Sequence, residues 1–507
     1  MADTSLNNKR IVKNTAYLYL RMLLTAFVSL YVARVVLKVL GSEDFGIFNV
    51  VGGIVTFMGF ITASLSSATQ RYFAFHLGKS DEEGYRNTYS LLINVYIAFC
   101  GIVLIALEII GPYYISNYMT LSVDRINAAH IVFQLSLLSF IITTITIPHR
   151  SSVIAYEKMD VFSYITILEV LLQLLIAIGL TYSGYDHLIL YSVLMTVSAF
   201  IIALAFIFYC KYRLSYCKYH CYWNTKYFKE LSTYSGWNLF GSITGVMNIQ
   251  GQAIVLNSFF GPVVNAAKAI ADRVNGMISQ FSTNFYLAVA PQIIKSYAVG
   301  DIEYMRKIVL NSSRYSFFLL YAVSIPIYLG IDIILDLWLG NEQVTMEMIK
   351  FCQYTIVYML VNVLEQPITM AVRATGNIKK YQIVVGSITL SFIPFCILIF
   401  LFGVPAYTSV LLLAVIYSIA HVARVIIVSP ILKISPLFYF KMVGLPIIET
   451  IIIPLVVYVL IVNMMDSYNV FIKIAIICIA AILSISFVGI NKEERSIFVS
   501  FIKNRIR

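Results

Sequence analysis

Apolar residues follow one another in runs of about 20 along almost the whole chain, and short polar segments separate the runs. An α-helix needs about 20 apolar residues to cross the hydrocarbon core of a bilayer, so each run predicts one membrane-spanning helix. The pattern therefore predicts an all-α integral membrane protein with about fourteen transmembrane helices. The predicted spans are 12–39, 45–69, 88–111, 128–148, 160–182, 187–210, 233–258, 263–290, 309–337, 349–373, 382–403, 406–429, 443–463 and 469–490.

The composition favours the same class of protein. Hydrophobic residues make up 60% of the 507 positions and charged residues only 12%, whereas a soluble domain has about 25% charged residues. The first apolar run, from about 11 to 40, is too long for the hydrophobic region of a cleavable signal peptide. We therefore expect the first helix to remain in the membrane.

Lysine and arginine are concentrated in alternate loops, which predicts the orientation of the chain. Basic residues cluster before the first span, after every second span and in the tail that follows residue 490, whereas the opposite loops offer only Arg125 and are otherwise acidic. Because basic loops remain in the cytoplasm, we expect both termini there. The net charge of +11 is thus a sign of topology, and we predict no nucleic-acid partner.

Two stretches of the sequence repeat one another. "VVLKVLGSEDFGIFNVVGGI" at 35–54 and "IVLNSFFGPVVNAAKAIADR" at 254–273 each end one span, turn at a glycine and begin the next. Short amphipathic connectors, "GKSDEEGYRNTYS" and "GDIEYMRKIVLNSS", follow at matching distances. Parallel repeats of this kind imply two lobes related by an axis along the membrane normal, with a substrate site between them. We predict a six-helix lobe at 1–210, a basic linker at 211–232, a second six-helix lobe at 233–429 and two further helices with a basic tail at 430–507.

A polar stripe runs along the predicted span 263–290. On a helix, Asn265, Lys268, Asp272 and Asn275 fall on one face, and Arg273 adds a further charge. Charges in hydrocarbon are costly, so this face is expected to meet protein or water. Lys268 and Asp272, four residues apart, are spaced to form an ion pair.

Shorter polar stripes occur in the first and seventh spans and include Arg21 and Asn238. A hydrated cavity between two lobes requires such stripes, and the alternative is hydrogen bonding between packed helices without a cavity. Glu169 in the fifth span is a candidate coupling residue or, alternatively, a structural partner of a neighbouring helix. Glu365 and Arg424 are further charges inside predicted spans.

The sequence offers no catalytic motif. "LGKSD" at 77–81 superficially resembles a phosphate-binding loop, but position 73 is Phe where that motif needs Gly. We therefore predict that the protein is not an enzyme and holds no cofactor or metal. A gradient of protons or sodium ions, the membrane potential or consumption of the product would have to drive any transport.

Several segments carry a family resemblance. "IPHRSSVIAYEKMDVFSYITILEVLLQLLIA" at 147–177, together with "NSFFGPVVNAAKAIADRV", "APQIIKSYAVGD", "LDLWLG" and "RATGNIKKYQ", resembles the bacterial polysaccharide transporters. These are the Wzx-type flippases of lipid-linked oligosaccharide, including O-antigen, in the multidrug/oligosaccharidyl-lipid/polysaccharide exporter superfamily. The resemblance runs over about 10–490.

The resemblance implies a two-lobed protein of the bacterial inner membrane that works by alternating access. Its cargo would be a polyprenyl-pyrophosphate-linked oligosaccharide, moved from the cytoplasmic to the periplasmic leaflet through a cationic central cavity. In related flippases, arginines in spans 1, 2 and 8 line that cavity; Arg21 and Arg273 occupy comparable places, but "FGIFNVVGGI" in span 2 has no arginine. A polysaccharide polymerase and glycosyltransferases would be functional partners.

Two other transport functions stay open in the same superfamily. A cation-coupled multidrug antiporter would need a net acidic, aromatic cavity, whereas the stripes here are net basic. A flippase of the peptidoglycan precursor is weakened by the missing arginine of span 2. A polysaccharide synthase would need a soluble catalytic domain, and no loop exceeds about 25 residues.

Overall fold

The structure is a computed structural model that describes residues 2–56, 59–118, 123–339, 344–464 and 470–490. Within these residues the secondary structure is helical, without β-strands. The helices are α1 Ala2–Thr56, α2 Gly59–Gly78, α3 Glu82–Tyr118, α4 Ile126–Ile145, α5 Ile147–Ala155, α6 Met159–Leu180, α7 His187–Arg213, α8 Thr225–Phe260, α9 Pro262–Val299, α10 Ile302–Leu329, α11 Ile331–Leu339, α12 Met346–Asn362, α13 Glu365–Thr375, α14 Lys379–Leu390, α15 Phe392–Leu401, α16 Thr408–Leu432, α17 Pro436–Tyr439, α18 Leu445–Met464 and α19 Val470–Ser484. A 3₁₀ turn at Val123–Arg125 and π-helical turns at Phe440–Gly444 and Ile485–Gly489 complete the described elements.

The membrane-spanning character predicted from hydropathy is confirmed. The described residues contain 12 helices that are long and apolar enough to cross a membrane, and each coincides with one of the predicted spans. The two other predictions, 45–69 and 263–290, also fall on helix, apart from positions 57 and 58, which lie outside the described residues. Neither of these two stretches is among the 12 candidates, and the polar stripe in 263–290 lowers its hydropathy.

Apolar side chains cover much of the helix surface. Phe27, Ile102 and Leu175 are mostly exposed, which in water would be unfavourable but in lipid is the expected arrangement. One hydrophobic core lies between α1, α3, α4, α6 and α7 and includes fully buried Phe133 and Leu180.

The described residues form two compact units. The first consists of the described residues up to Ser242 together with Ile294–Gly300, and the second of Ile243–Ile293 together with the described residues from Asp301 to 490. The helices α8 and α9 each contribute residues to both. The division into lobes at 1–210 and 233–429 stays a prediction, and the basic tail after residue 490 lies outside the described residues.

The two halves share local backbone geometry at the positions that repeat in sequence. Gly41 and Gly261 both have left-handed backbones, with φ of 76° and 80°, a conformation that glycine adopts without a steric penalty. Farther along, a left-handed residue precedes an aspartate twice: Asp81 accepts a hydrogen bond from the Gly84 N–H, and Asp301 accepts one from the Tyr304 N–H. The aspartate satisfies a free amide at the beginning of the next helix in both halves.

The predicted linker 211–232 is shorter in the structure, because α8 already begins at Thr225. The non-helical part binds to the beginning of α3. His220 forms hydrogen bonds with Ser90 and Asn87, and the Asn94 side chain donates to the Tyr222 carbonyl at 3.1 Å. This connector is therefore part of the first unit.

Arg125, the basic residue of the predicted external loops, connects two acidic ones. Its guanidinium lies 2.9 Å from the Asp44 carboxylate and also bonds to Asp186. Burial raises the pKa of Asp186, but hydrogen bonds from the Ile189 N–H and from Arg125 outweigh it, so the pKa lies below its ordinary value. Asp186 also accepts from the Leu188 N–H and begins α7 as its N-cap.

Candidate functional site

The first unit brings two arginines to one aromatic ring. The guanidinium carbon of Arg21 in α1 lies 5.2 Å from the ring centroid of Phe162, and that of Arg150 in α5 lies 5.6 Å from the same centroid. Arg150 also lies 5.4 Å from the ring centroid of Phe206. Cation–π contacts of this kind stabilise a guanidinium that has lost part of its hydration.

One carboxylate accompanies these two cations. The Arg150 guanidinium lies 3.5 Å from the Glu169 carboxylate, and both side chains are partly exposed. Arg21 interacts electrostatically with Arg150 and with Glu169. Two positive charges thus share one negative charge, and the group as a whole retains a positive charge.

Arg150 was not among the predicted site residues, because the sequence places it at a span end, where basic residues mark topology. The structure gives it a different setting: α4 ends at Ile145, and α5 begins one residue later with Pro148 in its first turn. Thr146 between the two helices keeps helical backbone angles, and Pro148 fits the first turn of α5, where its missing N–H costs no hydrogen bond. "IPHR" was the available signal.

In the second unit, the predicted polar stripe lies on α9. Lys268 and Asp272 form the i, i+4 ion pair that their spacing predicts. The lysine is nearly buried, whereas 42% of the Asp272 side chain is exposed. Cys352 of α12 lies within electrostatic range of both, and Asn275 is half-buried.

Arg273 lies apart from this pair. It directly follows Asp272, so on a helix it points about 100° away, and its side chain is exposed. The predicted three-charge group is therefore an ion pair with a separately directed cation.

The predicted asparagines are bound to helix backbone. Asn238, which is 2% exposed, donates to the Ser64 carbonyl of α2 at 2.9 Å, and Asn265 donates to the Ala253 carbonyl of α8 at 3.0 Å. These bonds match the alternative interpretation of the stripes, hydrogen bonding between packed helices. The two amides are less available to a ligand than the exposed charges are.

A second charge group in the second unit lies around Arg424. This residue is 2% exposed, pairs with Glu365 at 3.0 Å and donates from Nε to the Tyr381 hydroxyl at 3.3 Å. The Tyr381 hydroxyl also lies 2.5 Å from that of Thr369. Glu365 and Arg424 are visible in the sequence as charges inside spans, but not as partners.

No group of three or more metal-ligating side chains occurs within the described ranges.

Comparison with known proteins finds a family model that is similar to part of the chain. Residues 18–178 match the family model MatE. A search among curated protein sequences finds no significant match.

Solved structures match over most of the chain. A MATE in complex with MaD3S matches with a TM-score of 0.73 and 15% identity over 84% of this chain and 97% of that one. An outward-facing multidrug resistance MATE family transporter of the MOP superfamily matches with 0.70 and 13%, over 84% and 97%. A MOP superfamily transporter from Pyrococcus furiosus, whose binding pocket is described as having reverse polarity that suggests a different function, matches with 0.63 and 14%, over 81% and 94%. The chain therefore contains a region similar to the MatE family and shares the fold of solved MATE transporters.

Proposed function

We propose that this protein is a flippase that moves polyprenyl-pyrophosphate-linked oligosaccharide from the cytoplasmic to the periplasmic leaflet of the bacterial inner membrane. The observation that carries the proposal is the pair of guanidinium groups, Arg21 and Arg150, on the Phe162 ring with Glu169 as their counter-charge. Two like charges close together in a membrane protein repel one another, and an anionic head group would relieve that repulsion.

The charges of the second unit also favour an anionic ligand. Lys268 and Arg273 accompany one carboxylate, Asp272, so this helix also has an excess of positive charge. An arriving pyrophosphate would compete with Asp272 for Lys268. The displaced carboxylate would then take up a proton or a sodium ion, which would couple transport to a gradient.

The likeness to MatE and to MATE structures supports transport across a membrane as the general activity, and an activity other than catalysis. Solved structures of this fold include a multidrug resistance transporter and one described as having a pocket of reverse polarity. The fold is therefore compatible with binding pockets of opposite polarity, and the charges of this chain favour an anionic cargo.

A multidrug antiporter is the second candidate, because the carboxylates of Glu169 and Asp272 are 37% and 42% exposed. An organic cation would bind to such carboxylates beside an aromatic ring.

Under the flippase proposal, both termini lie in the cytoplasm. Glycosyltransferases would supply the cargo, and a polysaccharide polymerase would consume it.

The test is a flipping assay with the full-length protein in vesicles that contain a fluorescent polyprenyl-pyrophosphate-linked oligosaccharide. Arg21→Ala and Arg150→Ala should each reduce the flipping rate by about tenfold or more, since each loses a charge-assisted contact of about 1.5–3 kcal/mol. Lys at either position should restore part of the rate, because it keeps the charge but not the bidentate geometry. Arg213→Ala, at an exposed arginine in the last turn of α7, is the matched control and should leave the rate unchanged.

Full flipping by both Ala variants would exclude the anionic-cargo proposal. If the protein instead exports ethidium, flips no oligosaccharide and loses the export in Glu169→Gln, it is an antiporter.

With an imposed proton or sodium gradient, Asp272→Asn should still flip the oligosaccharide, but its rate should no longer respond to the gradient. An unchanged response would make Asp272 a structural counter-ion.

A further inference from the structure

A polar cavity of about 360 Å³ lies within the first unit, and neither Arg21 nor Arg150 lines it. Three segments that are distant in sequence meet there: the beginning of the first span in α1, the connector between α5 and α6, and the end of α9. Its lining residues are Lys13, Asn14, Tyr156, Glu157, Lys158, Asp160 and Lys295. The orientation predicted from the loop charges places this cavity at the cytoplasmic end.

Positive charge exceeds negative charge in this cavity. Lys295 is neutralised by an ion pair with Glu157, whose side chain is 6% exposed. Lys13 and Lys158, both exposed, remain opposite one carboxylate, Asp160. Asp160 lies in the first turn of α6, where the partial positive charge of the helix end stabilises it.

The backbone at Glu157 indicates that its side chain is needed. Its φ of 61° is left-handed, and the bonds from its N–H to the Ile154 carbonyl and from the Lys158 N–H to the Val153 carbonyl are those of a Schellman helix end. Glycine is preferred at this position, because a side chain there is strained. The corresponding place after α13 in the second half holds a glycine, Gly376, with φ of 79°.

The ion pair of the Glu157 carboxylate offsets the backbone strain. It holds the Lys295 ammonium at the wall of the cavity, and the tight packing of α2 against the same segment fixes the backbone there: a Cβ at Gly78 would lie 2.8 Å from the Lys295 Cα. The ion pair and the packing of α2 thus both fix the position of Lys295 at the cavity wall. Strained residues of this kind persist where the surrounding structure needs them.

We infer that this cavity binds a phosphate-bearing anion through the ammonium groups of Lys13 and Lys158 and the amide of Asn14. Lys13 lies 5.8 Å from the Tyr17 ring centroid, which restrains its long side chain beside the cavity. Glu157 and Lys295 act as positioning residues, and Asp160 limits the affinity so that the anion is released again. On the basis of the proposed function, this cavity is the place where the pyrophosphate of the cargo is first bound.

The test is isothermal titration of inorganic pyrophosphate into the full-length protein in phosphatidylcholine nanodiscs at low salt. Lys13→Ala and Lys158→Ala should each weaken binding by about fivefold or more, and Asp160→Asn should tighten it several-fold, because a repelling charge is removed. Lys226→Ala, at an exposed lysine in the first turn of α8, is the matched control and should not change the affinity. Unchanged affinity in both lysine variants, or weaker binding by Asp160→Asn, would overturn the assignment.

Two further titrations identify the source of the phosphate. If phosphatidylglycerol in the nanodisc competes with pyrophosphate in the wild type but not in Lys158→Ala, the site accepts membrane lipid head groups. If polyprenyl pyrophosphate competes and phosphatidylglycerol does not, the site selects the cargo. Competition by neither lipid, with pyrophosphate binding retained, assigns the site to a free phosphate compound.

These titrations contain no oligosaccharide and measure no transport, so they are independent of the flipping assay. Pyrophosphate binding that depends on Lys13 and Lys158, with no flipping, would remove the proposed function and keep the anion site. Flipping that depends on Arg21 and Arg150, without pyrophosphate binding at Lys13 and Lys158, would remove the anion site and keep the function.

Discussion

Two ion pairs lie inside the membrane helices, one within a single helix and one between two helices. Lys268 and Asp272 are neighbours on α9, whereas Arg424 of α16 meets Glu365 of α13. A lone charge in hydrocarbon costs about 2.5–3.5 kcal/mol on insertion scales, and pairing reduces that cost. The exposure differs between the pairs: Asp272 is accessible to a ligand, and Arg424 is buried. The first pair is therefore accessible to the ligand that we propose, whereas the Arg424 guanidinium is enclosed by the fold.

Removing Arg424 should destabilise the second unit. Arg424→Met would leave the Glu365 carboxylate without its counter-ion, at a cost of about 3 kcal/mol, because breaking a buried pair leaves an uncompensated charge. In the double variant Glu365→Gln, Arg424→Met, much of that loss should be recovered. The free energy of unfolding in mixed micelles measures both, and equal losses in the single and double variants would contradict the pairing argument.

At the scale of elements, glycine and aspartate residues determine where helices end and begin and how closely two helices pack. Glycines lie at φ near 80° where spans turn, and aspartates begin the helices that follow the repeated connectors. Glycine also allows close packing: a Cβ at Gly78 of α2 would lie 2.8 Å from the Lys295 Cα and 2.9 Å from the Ala298 Cβ. No such contact exists at Gly101 of α3, where nothing lies within 4 Å of the added atom.

These two glycines form a matched pair of substitutions. Gly78→Ala should lower the free energy of unfolding by about 1–3 kcal/mol, because backbone atoms would have to move apart. Gly101→Ala should leave the stability unchanged or raise it by up to about 1 kcal/mol, because alanine favours helix more than glycine does. Unfolding in mixed micelles measures both, and equal effects would show that the close approach at Gly78 has no energetic consequence.

At the scale of the whole molecule, loop charge and surface hydropathy determine how the protein lies in a bilayer. Apolar side chains are exposed along the helices, and the basic connectors alternate with acidic ones. Cys221, in the basic connector before α8, is exposed, whereas Cys478 is half-buried and the other five cysteines are buried. It is a natural probe of the orientation.

A membrane-impermeant maleimide should therefore leave Cys221 unlabelled in intact spheroplasts and label it once the membrane is permeabilised, since the positive-inside rule places this connector in the cytoplasm. In a Cys221→Ser background, Gly184→Cys in the exposed connector before α7 should be labelled without permeabilisation. Labelling of Cys221 from outside would reverse the predicted topology.

The sequence by itself determined the class of protein, the position of nearly every span and the Lys268–Asp272 ion pair. These features depend on local quantities: the length of an apolar run must match the bilayer, and residues four apart on a helix are neighbours. The turns at Gly41 and Gly261 could also be predicted from the sequence, because a left-handed backbone favours glycine wherever it occurs.

The tertiary structure alone decided which distant residues meet. Arg150, which the sequence marks only as a basic residue at a span end, shares the Phe162 ring with Arg21 of a helix far away in the chain. Asn238 and Asn265 bind to helix backbone instead of being available to a ligand. Periodicity gives the direction of a side chain from its own helix axis, but its partner depends on how several helices pack, and that packing is set by many small contacts summed over the fold.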